Sequence, residues 1–296
     1  MTSEASGGLA PRTLLLGCGY CGLALAQRLS ARGVEVWGTV RDLDASGEAL
    51  KRAGVRALEW RLEQGPLEWP RELVSEPFDL VYLAPAVEGG RAAFDEVLAS
   101  FVGAPLRAAV YVSSTSVYGN SAGGAVDAMT PPQPSTPRGA RRLERERAIL
   151  ARGPRHGWRV CTLRLPGIYG PGRTIVPRLR SGAFRLVDGG TKWSARIHRD
   201  DVAMGLEVLL RRGAGGAVYL LCDDRPFQVR ELVSWVCAEL GLPLPPVISL
   251  EEYARLRPRA ASFWSNSNRY DNAAIASLTG FELEFPSFEE GLKPLL

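Results

Sequence analysis

The stretch TLLLGCGYCGLALAQRLSARGVEVWGTVRD, residues 13–42, decides the fold. Thr13 to Leu16 is a short apolar run typical of a buried strand, and a glycine-rich turn follows it. LALAQRLSARG then carries apolar residues at helical spacing and ends at Gly33. Val34 to Val40 indicates a second strand. Strand, glycine turn, helix and strand in this order form the βαβ unit of a nucleotide-binding sheet.

Gly17, Gly19 and Gly22 match the pattern GxGxxG, which is informative here because it follows a predicted strand and opens a helix. Gly17 permits the tight turn, Gly19 lets the backbone approach a pyrophosphate, and Gly22 lets the helix pack on the strand. The helix N-terminus, which begins with Tyr20 and Cys21, offers amide groups to the phosphates. We therefore expect a dinucleotide site, the alternative being a tight turn without a ligand.

The end of the second strand bears on the choice between cofactors. An acidic residue there would hydrogen-bond the ribose 2′-hydroxyl of NAD. Arg41 stands at this point and could pair with the 2′-phosphate of NADP, because a guanidinium matches phosphate geometry. Asp42 follows directly and points the other way, so the sequence favours NADP and leaves NAD open. The alternative for Arg41 is a surface residue after a strand.

Further strands and helices alternate along the chain. Strands are predicted at 78–84, 108–112, 158–165 and 217–221, and helices at 91–101 and 143–152, with a loop at 121–137. This alternation predicts an α/β fold, a Rossmann-type doubly wound parallel sheet with a smaller C-terminal substrate lobe. We assign residues 1–170 to the dinucleotide-binding domain, with 197–223 returning to the sheet. Residues 171–196 and 224–296, the latter predicted as short helices and loops, form the lobe.

Composition narrows the classes of function. The net charge is +4, and basic residues are interspersed with acidic ones, so no nucleic-acid footprint is expected. No run approaches 18 apolar residues, and the N-terminus does not resemble a signal peptide, so we expect a cytoplasmic protein without a membrane partner. The five cysteines favour reduced, buried thiols. Cys18 and Cys21 form a CxxC, but no further ligands at zinc spacing accompany it, and we predict no metal site.

Three later segments complete a family pattern. VSSTSVYG at 112–119, LRLPGIYGPGR at 163–173 and RIHRDDVA at 196–203 follow the glycine turn in order. Together they resemble the extended short-chain dehydrogenase/reductase family, also called the NAD-dependent epimerase/dehydratase family. The tail SNSNRYDNAAIASLTGFELEFPSFEEGL is similar to the closing segment of atypical members of that family.

The resemblance implies a nicotinamide cofactor and hydride transfer on a hydroxyl or carbonyl, often of a nucleotide-sugar. It places Ser114 at the position whose hydroxyl hydrogen-bonds the reacting oxygen, although SSTS could also be a polar strand end. Ala84 and Pro85 match positions that pack against the cofactor. Pro166 and Gly167 match the segment beside the nicotinamide. Relatives often pair through two helices, and this chain is expected to be a monomer or a homodimer with a small-molecule substrate.

One segment departs from the family. The family carries Tyr-x-x-x-Lys, in which the Tyr is the general acid/base and the Lys holds the ribose and lowers the Tyr pKa. The matching segment here is PRGARRLERE at 137–146, which places Arg138 at the Tyr position and Arg142 at the Lys position. Arg142 retains a positive charge that could hold the ribose. Arg138 can stabilise an oxyanion but cannot shuttle a proton, because a guanidinium stays protonated.

Other candidates have structural alternatives. Tyr118 and Tyr169 are predicted to be structural, and His198 is predicted to serve packing rather than catalysis. Asp200 and Asp201 are expected to cap the next helix. Residues that could contact substrate or merely support the lobe are Arg173, Trp193, Trp264, Asn266, Asn268 and Arg269.

Three functions follow from these observations. The first is an NADP-dependent oxidoreductase of the epimerase/dehydratase type with altered acid/base residues. The second is a non-catalytic module that binds NADP(H) and reports its level to a partner. The third is a structural protein without a ligand. The sequence favours the first.

Overall fold

A seven-stranded parallel sheet forms the centre of the protein. The structure, a computed structural model, describes residues 8–278 and 280–296. The sheet strands in chain order, β1 to β7, are Arg12–Leu16, Glu35–Val40, Val55–Glu59, Phe78–Tyr82, Leu106–Ser114, Arg159–Leu165 and Val218–Leu220. They lie side by side in the order β7-β6-β5-β4-β1-β2-β3. The strand order reverses between β1 and β4, and ligands of such sheets bind in the crevice at that point.

Six longer helices accompany the sheet. In chain order, α1 to α6 are Tyr20–Ser30, Leu43–Arg52, Arg91–Ala99, Pro137–His156, Arg199–Arg212 and Val229–Leu240. Shorter helices are Arg71–Val74, Val176–Arg180, Leu250–Leu256, Pro258–Trp264, Ala273–Ala276 and Phe288–Leu292. Short strands outside the sheet pair Gly167–Tyr169 with Arg196–His198, Ala125–Val126 with Arg269–Tyr270, Leu186–Val187 with Val247–Ile248, and Trp193–Ser194 with Phe227–Gln228.

Both faces of the sheet are buried, which confirms the predicted fold class. Leu25 of α1 and Leu206 of α5 pack on one face, where α1 lies alongside α5. Phe94 of α3 and Ile149 of α4 pack on the other. A parallel sheet covered on both faces has near-continuous apolar strands, as in the fully buried FDLVY of β4. A further core, built around Phe227 and Phe288, lies in the later part of the chain. The division into a cofactor domain and a lobe at the boundaries given above stays a prediction.

Four elements differ from the sequence-based expectations. α2 and β3 were not predicted, because LDASGEALKR is largely polar and VRALE is short, and each has only one buried residue. α4 begins at Pro137 rather than at 143, because Pro is suited to the first helical position and Thr136 caps the helix, its Oγ1 accepting from the Gly139 amide at 3.1 Å. α6 is longer than the short helices expected in the tail.

None of the described helices combines the length and apolar character needed to cross a membrane. The first seven residues, MTSEASG, on which the prediction about a signal peptide partly rests, lie outside the described residues.

Candidate active site

The glycine turn after β1 is closed against the end of β4. Gly17 has a φ of +89°, and a Cβ built on it would lie 2.9 Å from the Ala84 amide nitrogen. The Gly17 amide donates to Thr39 Oγ1 at 2.9 Å. A side chain at position 17 would strain the backbone and displace the segment after β4. The turn therefore brings Gly17 and Ala84, two predicted cofactor residues, into contact.

The N-terminus of α1 has the features that a pyrophosphate needs. Gly19 is the N-cap, no side chain caps the helix, and its first turn carries no acidic residue. A Cβ on Gly19 would meet nothing within 4 Å, whereas one on Gly22 would lie 3.3 Å from Cys18 Sγ. The first amides of a helix have no partner within it and carry its positive dipole. The residues at this turn therefore fit the diphosphate of a dinucleotide.

The two cysteines of the turn are packing residues. Burial raises the pKa of Cys18 to about 12 and that of Cys21 to about 11. Both side chains are therefore neutral thiols near pH 7, not the thiolates that redox chemistry and metal binding use. Among the residues that the structure describes, no group of three or more His, Cys, Asp or Glu side chains could hold a metal ion.

Arg41 and Asp42, which point to different cofactors, have different local roles. Asp42 is the N-cap of α2, and its Oδ1 accepts from the Ala45 amide at 2.9 Å. Arg41 is exposed and makes no hydrogen bond or ion pair with the described residues. The carboxylate is thus engaged in capping, and the guanidinium is the unpaired group at the end of β2.

A buried arginine, Arg145, fixes the loop that follows β4 through two hydrogen bonds. Arg145 of α4 donates to the carbonyl oxygens of Pro85 at 3.2 Å and Val87 at 2.9 Å. Ala84 is buried and Pro85 is exposed at the crevice. Arg145 was not predicted, although it follows Arg142 by three residues on one helical face. It fixes the loop on which the two predicted cofactor residues lie.

Ser114 is the last residue of β5 and lies where a sheet of this kind binds ligands. Its Oγ accepts from the Ser116 amide at 3.2 Å and so caps the short turn Thr115–Val117. The hydroxyl proton is not used in that bond. Ser114 can therefore donate a hydrogen bond to a substrate oxygen while the turn fixes its rotamer.

The start of α4 fits tightly against the same turn. A Cβ on Gly139 would lie 2.1 Å from the Ser116 carbonyl oxygen, so only glycine allows this approach. The contact brings the first residues of α4 next to the turn that follows Ser114. Arg138 is exposed there and makes no hydrogen bond or ion pair with the described residues.

Arg142 lies one helical turn further along and points into the protein. It is 9% exposed, and its Nη1 donates to the Val112 carbonyl oxygen at 2.8 Å. Burial lowers its pKa, and the charges of Arg138 and Arg145 lower it further. Its Nε is buried without a partner among the described residues. Part of the guanidinium is thus committed to β5, and the predicted contact with a ribose stays a prediction.

Tyr118 belongs to a buried structural network. Its hydroxyl donates to the Asp127 carbonyl oxygen at 2.7 Å and accepts from Arg164 Nη1 at 2.8 Å. Arg164 also binds Glu146 of α4 with an Nη2–Oε2 distance of 2.7 Å. The hydroxyl proton is thus committed to a backbone carbonyl and the oxygen is bound by a buried arginine, in agreement with a structural role.

Tyr169 and His198 also support the fold. The Tyr169 hydroxyl donates to the Ser287 carbonyl oxygen at 3.3 Å, and its ring meets the edge of the His198 ring at 5.3 Å. His198 is 2% exposed and burial lowers its pKa, so the imidazole is neutral near pH 7. Its Nδ1 accepts from the Asp200 amide at 3.3 Å, which makes His198 the N-cap of α5.

The capping role predicted for Asp200 and Asp201 is therefore wrong. Both lie in the first turn of α5, but His198 provides the cap. Asp200 accepts from Arg199 Nε at 3.0 Å. Asp201 is fully buried and accepts from the amides of Glu284 at 2.7 Å and Phe285 at 3.2 Å, so it anchors the tail on the sheet domain. Sequence reasoning could not find a partner more than 80 residues away.

Several predicted lobe residues hold one loop, at 119–124. Asn268 donates to the Gly119 carbonyl oxygen at 2.9 Å and accepts from the Ser121 amide at 2.7 Å. Arg269 Nε donates to the Gly123 carbonyl oxygen at 2.7 Å, and the Trp193 ring packs against the same glycine. These contacts favour the supporting role over direct substrate contact.

The other three lobe candidates have different surroundings. Asn266 Nδ2 donates to the Tyr118 carbonyl oxygen at 3.4 Å. Trp264 packs edge-on against Tyr253, with ring centroids 6.1 Å apart. Arg173 lies over the ring of Tyr20, at the first turn of α1.

The segment beside the predicted nicotinamide position faces a cation that was not predicted. A Cβ on Gly167 would lie 2.0 Å from Arg196 Nη1, so the guanidinium lies directly on this glycine. Pro166 and Gly167 are half-buried. Arg196 lies beside them because its strand pairs with Gly167–Tyr169.

Lys192, Arg196 and Phe263 form a cationic end of the crevice. The Lys192 Nζ lies 4.1 Å and the Arg196 Cζ 5.8 Å from the centroid of the Phe263 ring. Neither cation makes a hydrogen bond or close ion pair with the described residues. Burial lowers the pKa of Lys192 to about 7, and the charge of Arg196 adds to this effect. The sequence gives no local signal for this cluster, since it depends on the fold of the tail.

The charge of Asp223 acts on Arg196, one of the two basic residues of this cluster, and raises its pKa against the effect of burial. Asp223 is 1% exposed, and both carboxyl oxygens have no hydrogen-bond partner among the described residues. Burial raises its pKa to about 8, Asp201 raises it further, and Arg196 opposes the rise. Asp223 is thus protonated near pH 7.

Comparison with known proteins shows the family of the chain. Residues 13–222 match the model of the NAD dependent epimerase/dehydratase family. Protein YeeZ of Escherichia coli is 31% identical over 93% of this chain and 96% of its own length. A 4-hydroxy-2-methyl-3-oxo-4-farnesyl-3,4-dihydroquinoline-1-oxide ketoreductase of Stigmatella aurantiaca is 28% identical, over 76% of this chain and 72% of its own. A solved structure of a functionally unknown conserved protein from Silicibacter pomeroyi is 31% identical, with a TM-score of 0.83 over 96% of this chain and 97% of that one.

Proposed function

Because the chain belongs to the NAD dependent epimerase/dehydratase family, we propose that it is an NADPH-dependent oxidoreductase that reduces a carbonyl group of a small anionic substrate. One observation carries this proposal. A glycine turn opens α1 after β1, Ser114 ends β5, and α4 carries Arg138 at the position where the family pattern has its Tyr. Such a site can bind the cofactor and polarise a carbonyl, but it lacks the usual base.

The residues present fit the cofactor. Gly17, Gly19 and the first amides of α1 would hold the pyrophosphate, and Arg41 the 2′-phosphate. Ala84 and Pro85 would pack on one side of the dinucleotide, with Gly167 beside the nicotinamide. When bound, NADPH supplies a hydride.

Ser114 and Arg138 would both act on the carbonyl oxygen of the substrate. The Ser114 hydroxyl would donate to the substrate carbonyl oxygen, and Arg138 would stabilise the negative charge that develops on it. Water would supply the proton that completes the alcohol. Arg138 stays protonated, so water would carry this proton in either direction. We propose reduction as the working direction because one similar protein is named a ketoreductase.

Lys192 and Arg196 support an anionic substrate. Arg196 lies directly on Gly167, and both Arg196 and Lys192, which is about half protonated near pH 7, lie over the Phe263 ring without a hydrogen bond to the described residues. A phosphate or carboxylate of the substrate would neutralise them, and the family makes a nucleotide-sugar the first substrate class to test.

Ser114→Ala tests the catalytic part of the proposal. We expect turnover of a carbonyl substrate with NADPH to fall by about 10²–10³, because an oxyanion-hole donor typically contributes that much. The affinity for NADPH should stay within about twofold of the wild-type value. Ser113→Ala is the matched control: Ser113 is the neighbouring buried serine of β5, and its loss should leave turnover unchanged. Equal rates for the two variants would contradict the role of Ser114.

Arg41→Ala tests the choice of cofactor. We expect the dissociation constant of NADPH to rise about 10- to 100-fold and that of NADH to change little, since only NADPH carries the 2′-phosphate. Titration of cofactor fluorescence measures both. The exposed Arg52, at the end of α2, gives the control Arg52→Ala. Tighter binding of NADH than NADPH by the wild-type protein would show that the NADP assignment is wrong.

The engagement of Arg142 with β5 favours a second candidate, a non-catalytic NADP(H)-binding module. In that case the protein would bind NADPH tightly, and no carbonyl substrate of a broad panel would be reduced. Turnover that depends on Ser114 would exclude this candidate.

A further inference from the structure

Two arginines flank the first residue of α1. The Cζ atom of Arg199 lies 5.1 Å, and that of Arg173 5.5 Å, from the centroid of the Tyr20 ring. Tyr20 directly follows Gly19, the N-cap on which the pyrophosphate is proposed to rest. Two guanidinium groups from distant parts of the chain thus meet at the phosphate end of the helix.

The backbone fixes both arginines in place. The Tyr20 hydroxyl donates to the Pro171 carbonyl oxygen at 3.1 Å. Gly170 and Arg173 exchange backbone hydrogen bonds at 3.2 and 2.9 Å, so the turn that carries Arg173 is closed. Arg199 is the first residue of α5, which packs alongside α1. The arrangement therefore does not depend on one flexible side chain.

The positive charge at this point exceeds what the protein neutralises. Asp200 accepts from Arg199 Nε at 3.0 Å, which leaves the two terminal nitrogens of that guanidinium available. Arg173 makes no ion pair with the described residues. Both guanidinium groups oppose the burial-driven rise in the pKa of Cys21, so their field reaches the first turn of the helix. An anion bound at the turn would neutralise this positive charge.

We propose that Arg173 and Arg199 bind the pyrophosphate of the dinucleotide, in addition to the amides of the glycine turn. This inference rests on the proposed function, because it assigns further residues to the same cofactor. A guanidinium matches two phosphate oxygens at once. The pyrophosphate carries its negative charge at the N-terminus of α1, where the two arginines converge. Their contribution is separate from that of Arg41, which faces the 2′-phosphate end.

Three ligands distinguish this assignment from a purely structural stacking role. ADP-ribose contains the pyrophosphate but no nicotinamide, and 2′-AMP contains a 2′-phosphate but no pyrophosphate. We expect Arg173→Gln and Arg199→Gln each to raise the dissociation constants of NADPH and ADP-ribose about tenfold in low salt. The affinity for 2′-AMP should stay unchanged. The losses should shrink as salt is added, because the arginines are partly exposed to solvent.

Arg155→Gln is the matched control, since it removes one charge from an exposed position at the far end of α4. Calorimetric or fluorescence titration of each variant gives the dissociation constants, and thermal unfolding verifies that it is folded. If the wild type binds NADPH and ADP-ribose but both variants behave like Arg155→Gln, the inference is wrong and the proposed function stands. An equal loss for 2′-AMP would also overturn the assignment to the pyrophosphate. If the wild type binds neither dinucleotide nor ADP-ribose, the proposed function itself fails.

Discussion

Glu146→Gln is expected to lower the free energy of unfolding by about 3–5 kcal/mol. Glu146 and Arg164 form a buried ion pair with an Nη2–Oε2 distance of 2.7 Å, and both side chains are less than 5% exposed. Removing the carboxylate leaves the Arg164 charge buried with only the Tyr118 hydroxyl and a neutral amide beside it. An uncompensated buried charge costs far more than the pair itself contributes. Urea-induced unfolding measures the change.

Two further variants separate this cause from general damage. Glu251→Gln removes one partner of an ion pair on an exposed helix, Glu251–Arg255, and should leave the unfolding free energy unchanged within error. The double variant Glu146→Leu with Arg164→Met replaces the buried pair by apolar side chains and should recover most of the loss. A double variant that is less stable than Glu146→Gln would show that the pair has a large net stabilising effect.

Asp223→Asn is expected to stabilise the protein at alkaline pH. The folded-state pKa of Asp223 is raised to about 8, whereas an aspartate in an unfolded chain titrates near 3.9. Between these values the folded state retains a proton that the unfolded state has lost, so stability falls as pH rises through this window. The variant has no such loss. Its advantage should grow from near zero at pH 4 to on the order of 5–6 kcal/mol above pH 8.

Unfolding in urea at pH 5 and pH 8.5 tests this sign. Glu251→Gln is the control, because Glu251 is an exposed carboxylate that is not among the groups that shift the pKa of Asp223. Burial also raises the pKa of Asp201, to about 6. Asp201 is present in every protein compared, so it adds the same pH dependence to each. A constant difference between Asp223→Asn and the wild type across this range would mean that Arg196 keeps Asp223 ionised.

The elements predicted well are those whose local sequence has a clear apolar pattern or a glycine motif. β1, the glycine turn and α1 follow from apolar periodicity and three glycines, and β4 from a fully apolar run. β3 was missed because it is an edge strand with only one buried residue, so its sequence lacks an apolar face. The start of α4 was placed too late because its first turn is held by a cap and a proline rather than by apolar residues.

The candidate site divides in a similar way. Family register places Arg138 and Arg142 on α4, but it could not indicate that Arg142 turns inward to the Val112 carbonyl. Side-chain direction depends on which groups surround it, and those come from another strand. Lys192, Asp223 and the partners of Asp201 are further cases, since each acquires its environment through contacts distant in sequence.

The hydrogen bond from the Tyr20 hydroxyl to the Pro171 carbonyl oxygen joins the first turn of α1 to the segment that follows the short strand Gly167–Tyr169. A ligand that moves this turn while the bond is kept would also move the segment that follows Pro171. Thermodynamic linkage makes such an effect reciprocal: if the dinucleotide changes the affinity for substrate by some factor, the substrate changes the affinity for the dinucleotide by the same factor. Any coupling carried by this bond would therefore appear in both dissociation constants, each measured with and without the other ligand.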